Sequence, residues 1–90
     1  MNLTLCECNS LRPGDLLVVD LRSQPAVVLD GVDQTTIWVN LDCLSGDMAG
    51  QISHNETFTV IVIGCHHDYV HGVSERGIVG YVYYEYLKRV

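Results

Sequence analysis

Short runs of β-branched and aromatic residues alternate along the chain with groups of Gly, Asp, Asn, Ser and Pro. Such runs are typical of β-strands separated by turns, because β-branched and aromatic side chains pack well on a pleated surface. No segment carries the longer apolar repeat of about 3.6 residues that an amphipathic helix needs. The pattern predicts six strands, at residues 15–20, 25–30, 35–41, 57–63, 68–73 and 77–84.

Turn-forming residues fill the segments between these strands. A tight turn is predicted at 12–15, and a long, partly extended loop at 42–56, the stretch richest in turn-forming residues. Gly72, Gly77 and Gly80 are predicted to be turn and bulge residues that let a small sheet bend.

Five or six short strands without helices between them favour a small antiparallel barrel or sandwich over a parallel sheet. Closure into a barrel is favoured because it removes the edges that such apolar strands would otherwise expose. The chain has 90 residues and neither an internal repeat nor a linker. The sequence therefore predicts an all-β fold in a single domain spanning 1–90.

The composition places the chain among globular proteins. It is 48% hydrophobic and 18% charged, which is too apolar for intrinsic disorder, and no apolar run approaches the about 20 residues needed to cross a bilayer. The first ten residues lack the basic and apolar regions of a secretory signal peptide. We therefore expect a cytoplasmic protein that does not associate with membranes and whose four cysteines stay reduced.

The charge argues against nucleic acid as a partner. Eleven acidic residues against five basic ones give a net charge of −6, which repels phosphate backbones. Nucleic-acid binding normally needs a clustered basic face, and only Lys88 and Arg89 are adjacent basic residues. We expect a protein partner instead.

Two parts of the chain resemble SH3 domains. The segment 13–19 (PGDLLVV), followed by 26–30 (AVVLD), resembles the opening of many small SH3-like barrels, a type often encoded by bacteriophages. The segment 68–72 (DYVHG) is similar to the D-W-W-x-G strand of SH3 domains, and 80–87 (GYVYYEYL) to their G-L-I-P-S-N-Y-V ending and the G-W-V-x-x-x-Y-L ending of bacterial SH3 domains. The resemblance implies an antiparallel SH3-like β-barrel with a short 3₁₀ turn after Tyr83.

The resemblance also implies a contact surface. Tyr69 falls where SH3 domains carry the ligand-facing Trp, Tyr83 where they carry a Pro, and Tyr86 where they carry the Tyr that packs on proline-rich ligands. These three tyrosines would meet on one side of the barrel, leaving Tyr81 and Tyr84 to structural or peripheral contacts. The chain departs from the family in its Tyr for Trp, its Tyr for Pro and its lack of the A-L-Y-D-Y entrance.

Trp38 is a further candidate for protein contact. Alternation along 35–41 places Ile37, Val39 and Leu41 on one face and Trp38 on the other. If the first face is the core, Trp38 lies at the surface, where exposed Trp and Tyr are typical of protein interfaces. It could equally cover one open end of the barrel.

Cysteine and histidine residues offer a candidate metal site. Thiolate and imidazole are the usual ligands of structural zinc, and the four candidates are Cys6, Cys8, Cys65 and His67. Their spacing matches neither of the usual zinc-binding patterns, and an extended chain would put Cys6 and Cys8 on one buried face. The spacing favours packed thiols and exposed loop histidines, without a cofactor. Catalysis by Cys65 and His67 is not expected, because small barrels seldom shape a deep pocket.

These observations predict a non-enzymatic module for protein–protein interaction. The resemblance implies a small bacteriophage protein, virion-associated or decorating, that binds a larger shell or tail component in many copies. Two alternatives stay open: an intracellular phage or mobile-element protein that binds and modulates a host protein, and a small zinc-stabilised domain.

Overall fold

The structure is a computed structural model and describes residues 2–21, 34–39 and 47–90. A short helix near the amino end is followed by seven strands, with one 3₁₀ turn between the last two. The elements are α1 (Leu5–Asn9), β1 (Leu16–Val19), β2 (Gln34–Trp38), β3 (Met48–Ser53), β4 (Thr57–Val60), β5 (Tyr69–Ser74), β6 (Val79–Tyr83), the 3₁₀ turn (Tyr84–Tyr86) and β7 (Leu87–Arg89).

All the strands pair antiparallel in one sheet of order β3-β2-β6-β5-β4-β1-β7. The predicted all-β antiparallel class and the 3₁₀ turn after Tyr83 are confirmed. The predicted closure of the sheet into a barrel is not confirmed. Within the described residues the sheet is open, ending at β3 on one side and at β7 on the other. The paired strands β2 and β3 extend the sheet beyond β6, where Trp38 of β2 pairs with Tyr81 of β6.

The β5–β6 hairpin positions four of the half-exposed aromatic residues. Its register sets Tyr69 opposite Tyr83 and His71 opposite Tyr81. Successive side chains of a strand point to opposite faces, so these residues share one half-exposed face. On the other face, the side chains of Val70 and Val82 point into the core. The hairpin therefore has one structural face and one face available for contact.

Among the described residues, the buried core is almost entirely aliphatic apart from Phe58, and the partly buried Tyr84 and Tyr86 pack against it. Burying this surface drives folding, at about 25 cal/mol for each Å² of apolar area removed from water. The buried apolar residues are Leu3, Cys8, Leu11, Leu17, Val19, Leu21, Ile37, Ile52, Phe58, Val60, Val70, Val82 and Leu87.

The helix α1 replaces the extended segment expected around Cys6 and Cys8. Thr4 and Glu7 form a capping box: the Glu7 N–H donates to Thr4 Oγ1 over 3.2 Å, and the Thr4 N–H donates to Glu7 Oε1 over 3.1 Å. This pair satisfies amide groups that the first helical turn leaves without partners. Of the described residues, no helix is long and apolar enough to span a membrane.

Two strands lie outside the predicted ones, one predicted strand is shorter than expected, and one cannot be compared. The strand β3 occupies part of the predicted loop 42–56, and β7 was not predicted at all. The predicted strand 57–63 ends as β4 at Val60, while the strand predicted at 25–30 lies outside the described residues.

Candidate functional site

Three tyrosines, Tyr69, Tyr83 and Tyr86, form a group that we call the tyrosine cluster. The ring centroids of Tyr69 and Tyr83 lie 5.5 Å apart at an interplanar angle of 62°, and those of Tyr83 and Tyr86 lie 5.4 Å apart at 67°. Edge-to-face contacts of this kind are the preferred geometry of aromatic pairs. All three side chains are half-buried. The structure thus brings together the three tyrosines that the SH3 resemblance had grouped.

The 3₁₀ turn brings Tyr86 to this side of the sheet. Strand alternation would send the residues after Tyr83 alternately to both faces, whereas the turn folds the chain back within three residues. Hydrogen bonds to backbone carbonyls hold the turn: the Tyr84 N–H donates to the Asp68 carbonyl over 3.1 Å, and the side-chain Asn2 Nδ2 donates to the Glu85 carbonyl over 2.6 Å. The cluster is therefore fixed by its scaffold.

Tyr84 borders the cluster and links it to a carboxylate. Its ring centroid lies 5.1 Å from that of Tyr83, and its hydroxyl donates to Glu85 Oε1 over 3.3 Å. Burial raises the pKa of Tyr83 and of Tyr84, and the carboxylates of Glu85 and Asp68 raise both further. A phenolate next to these carboxylates is disfavoured, so both phenols stay neutral hydrogen-bond donors.

A second aromatic group adjoins the tyrosine cluster on the same face. His71 and Tyr81 stack with ring centroids 4.3 Å apart and planes 19° from parallel, and His66 lies 6.4 Å from Tyr81. Burial lowers the pKa of His71, which favours the neutral imidazole against the tyrosine ring.

These rings border a shallow pocket of about 270 Å³, which we call the histidine pocket. Its lining consists of Val62, Ile63, Gly64, Cys65, His66, His71 and Tyr81. The loop 61–63 beside it exposes three consecutive aliphatic side chains, and Ile63 is 70% exposed. Such a run in contact with water is a common mark of an interaction surface.

Sequence reasoning missed this second group. It assigned Tyr81 to structural or peripheral contacts and placed Ile61 and Ile63 in a strand. The alternation of side chains along β5 and β6 could have identified this group. His71 lies two positions from Tyr69, and Tyr81 two positions from Tyr83, so all four share one face.

Trp38 belongs with this second group rather than with the tyrosine cluster. It pairs with Tyr81 across β2 and β6, and directly paired residues project from the same face of a sheet. Its side chain is half-buried, while its neighbour Ile37 is fully buried. Val39, expected on the core face with Ile37, is 51% exposed, because the register shifts between Ile37 and Trp38 and β2 ends there.

Cys8 and Cys65 form a disulfide. The sulfur atoms of Cys8 and Cys65 lie within bonding distance, with Cα atoms 5.7 Å apart. Cys6 is free and exposed, since residues two apart on a helix point to nearly opposite sides. The expectation that Cys8 and Cys65 are packed free thiols is wrong.

The candidate zinc ligands do not assemble among the described residues. The disulfide takes the sulfur atoms of Cys8 and Cys65, which zinc would need as free thiolates. Over the three described ranges, no group of three or more His, Cys, Asp or Glu side chains is placed to hold a metal ion. His67 contributes to the aromatic group instead, with its ring centroid 4.4 Å from that of His66.

Comparisons with protein-family models, curated proteins and solved structures found no match to this chain.

Proposed function

We propose that this protein is a non-enzymatic, SH3-like module that binds another protein through its aromatic face. We use that name for the half-exposed side chains that β2, β5, β6 and the 3₁₀ turn present together. They are Trp38, Tyr69, His71, Tyr81, Tyr83 and Tyr86. The observation that carries the proposal is the β5–β6 register, which aligns two aromatic pairs on the outer side of one hairpin.

Physical chemistry favours this face as a contact surface. Aromatic side chains bury a large area while losing few rotatable bonds, so they dominate the binding energy of many protein interfaces. Here the rings contact one another and rest on paired strands, which lowers the entropy lost on binding. The exposed loop 61–63 and the histidine pocket extend the face with aliphatic contacts.

A binding role fits the site better than catalysis does. At about 270 Å³, the histidine pocket is slightly smaller than most small-molecule sites, which span about 300–1,000 Å³. The sulfur atom of Cys65, which lines this pocket, belongs to the disulfide, so Cys65 offers no thiolate nucleophile while that bond is intact. A partner side chain is a better match to a recess of this size.

Two features support the SH3-like assignment. The 3₁₀ turn directly follows Tyr83, where the resemblance implies it, and the three tyrosines that match the family's ligand-facing positions meet in one cluster. In accordance with this resemblance, we propose a bacteriophage component that binds a larger shell or tail protein. Binding to a host protein is the alternative that uses the same face.

Substitution of two cluster tyrosines tests the contact surface. We expect Tyr69→Ala and Tyr83→Ala each to abolish capture of the partner in a pull-down, while circular dichroism and the melting temperature show a folded protein. Removing a central aromatic anchor commonly costs about 2 kcal/mol or more, a loss of about thirtyfold in affinity.

The matched control is Leu16→Ala, which removes a 45% exposed side chain of β1, outside the aromatic face. This variant should retain the partner. Undiminished capture by both tyrosine variants would refute the proposal. Unfolding of both would show instead that these rings serve the core.

A further inference from the structure

A row of uncharged side chains crosses the outer side of four neighbouring strands. The register pairs Leu16 of β1 with Thr59 of β4, and Thr59 with Val73 of β5. Val73 pairs in turn with Val79 of β6. Directly paired residues project from the same face of a sheet, so the four side chains lie side by side. We call them the cross-strand row. It lies near the β5–β6 turn, at the end of that hairpin away from the tyrosine cluster.

The cross-strand row is in contact with water, although three of its four members are aliphatic. Leu16 is 45% exposed and Val79 50%, and Thr59 and Val73 between them are half-buried. The helix α1 lies on the opposite side of these strands, where Cys8 joins the buried core. Contiguous apolar surface that faces water is a common mark of a protein contact.

Charge favours a second copy of this chain as the protein that covers the row. The chain carries a net charge of −6, so two copies repel each other wherever their acidic residues meet. The row is uncharged, and so are Val18 and Thr57, the next residues on the same face of β1 and β4. Two copies can therefore approach closely through this surface, whereas a basic partner would be attracted to acidic parts of the chain.

The size of this surface indicates a weak dimer. Four strands at a spacing of about 4.8 Å, each with about five residues of about 3.3 Å, give a footprint of about 300 Å². The accessible area exceeds the footprint, because side chains stand out from the sheet. A stable dimer buries about 800 Å² per copy, and weak, reversible contacts bury less than about 600 Å². The surface belongs to the second class.

We propose that the cross-strand row is the contact surface of a weak, reversible homodimer in which the outer sides of two sheets pack face to face. Sheets packed in this way lie about 10 Å apart, a distance that side chains as small as valine and leucine can fill. With the two-fold axis across the strands, each row lies over the row of the other copy. The tyrosine clusters then lie at opposite ends of the dimer. The inference goes beyond the proposed function, because it uses other side chains and leaves the tyrosine cluster free.

Sedimentation velocity of the full chain, from micromolar to millimolar concentration, tests the proposal. We expect the sedimentation coefficient to rise from that of a monomer to that of a dimer. Nuclear magnetic resonance of the ¹⁵N-labelled chain over the same range locates the contact, and the resonances of the cross-strand row should shift with concentration. A monomer at every concentration would overturn the proposal, and so would shifts confined to the tyrosine cluster.

Charge variants separate the row from general repulsion between acidic copies. Leu16→Glu should weaken dimerisation by about tenfold or more, because the two-fold axis brings two like charges together. Val79→Lys lowers the net negative charge and should still weaken the dimer, because it places a charge in an apolar contact. A stronger dimer with Val79→Lys would overturn the proposal.

The matched control is Leu5→Glu, the same substitution at a 47% exposed position of α1. It should dimerise as the parent does, and a loss equal to that of Leu16→Glu would mean nonspecific repulsion and would overturn the proposal. Circular dichroism checks that each variant is folded. Should Leu16→Glu unfold, Val79→Lys and the concentration-dependent resonances decide the question.

The dimer surface and the partner surface can fail separately. Leu16→Glu should still capture the partner, and a folded Tyr83→Ala variant should lose the partner but still dimerise. Loss of the partner with folded Leu16→Glu would assign the row to the partner and overturn the dimer. Loss of the dimer with Tyr83→Ala would place self-association on the aromatic face and overturn the role of the row.

Discussion

Two glycines at the centre of the β5–β6 hairpin show how single residues set its geometry. Gly72 and Gly80 are paired and buried, and neither adopts the left-handed backbone typical of turn glycines. A Cβ on Gly72 would lie 2.7 Å from Phe58 Cε2, and one on Gly80 would lie 2.6 Å from Ile37 Cγ2. They are glycines because carbonyl oxygens of the neighbouring strands, at Thr59 and Trp38, and these core side chains together take the space that a Cβ would need. Of the three predicted turn glycines, only Gly77, with φ 86°, takes a left-handed backbone.

We expect Gly72→Ala to lower the free energy of unfolding by about 1 to 3 kcal/mol, the usual cost of overpacking a core. The clash is with the ring of Phe58 and with backbone, neither of which can move away freely. Urea unfolding followed by circular dichroism measures the change. The exposed control Val79→Ala, in the paired strand, should stay within about 0.5 kcal/mol of the parent. A Gly72→Ala protein as stable as this control would contradict the packing argument.

At the scale of elements, the disulfide joins α1 to the loop before β5. Cys8 is fully buried on α1, and Cys65 lines the histidine pocket, so the bond ties the amino-terminal segment to the border of the aromatic face. The linked residues are 57 positions apart in sequence, and a cross-link of that span restricts the unfolded chain strongly.

Reduction should therefore destabilise the protein. The chain-entropy estimate for a loop of this length is about 4 kcal/mol, which we expect as the upper bound on the loss of unfolding free energy when dithiothreitol is added. The double variant Cys8→Ala and Cys65→Ala should be destabilised without reductant and insensitive to it. Cys6→Ala, which removes the free thiol of the same helix, should behave as the parent. A parent protein equally stable with and without dithiothreitol would show that the bond contributes nothing.

Elements differ in how far local sequence specifies them. The β5–β6 hairpin was predicted closely, at 68–73 and 77–84, because strict alternation of core and surface residues specifies its faces. The strand β3, with Gly50 and polar Gln51, has little intrinsic strand preference. Its pairing with β2 and the burial of Ile52 stabilise it, and neither contact can be read from its own residues.

For the whole molecule, the proposed role is attachment to a larger assembly. Under the proposed phage origin, we expect the protein in purified particles of the encoding phage, at many copies per particle, as measured by quantitative mass spectrometry of gradient-purified virions. The reason is that a single-domain module with one aromatic face can attach repeatedly to a symmetric shell or tail. A folded Tyr83→Ala variant should be missing from the particles. Absence of the parent protein would exclude the virion role and leave binding to a host protein.

The location of the protein in the cell stays a prediction. The cytoplasmic prediction implied reduced cysteines, whereas a disulfide such as Cys8–Cys65 persists where conditions are oxidising. The zinc-stabilised alternative loses two of its candidate thiolates to the same bond.

The sequence by itself determined the all-β class, the antiparallel pairing and the faces of β5 and β6, because these follow from local alternation and turn-forming residues. The grouping of Tyr69, Tyr83 and Tyr86 came from resemblance to SH3 domains. Tertiary structure alone decided the open sheet, the strand β3, the bond between two distant cysteines and the second aromatic group around His71 and Tyr81. Each of these depends on contacts between residues far apart in the chain, whose energy no local pattern records.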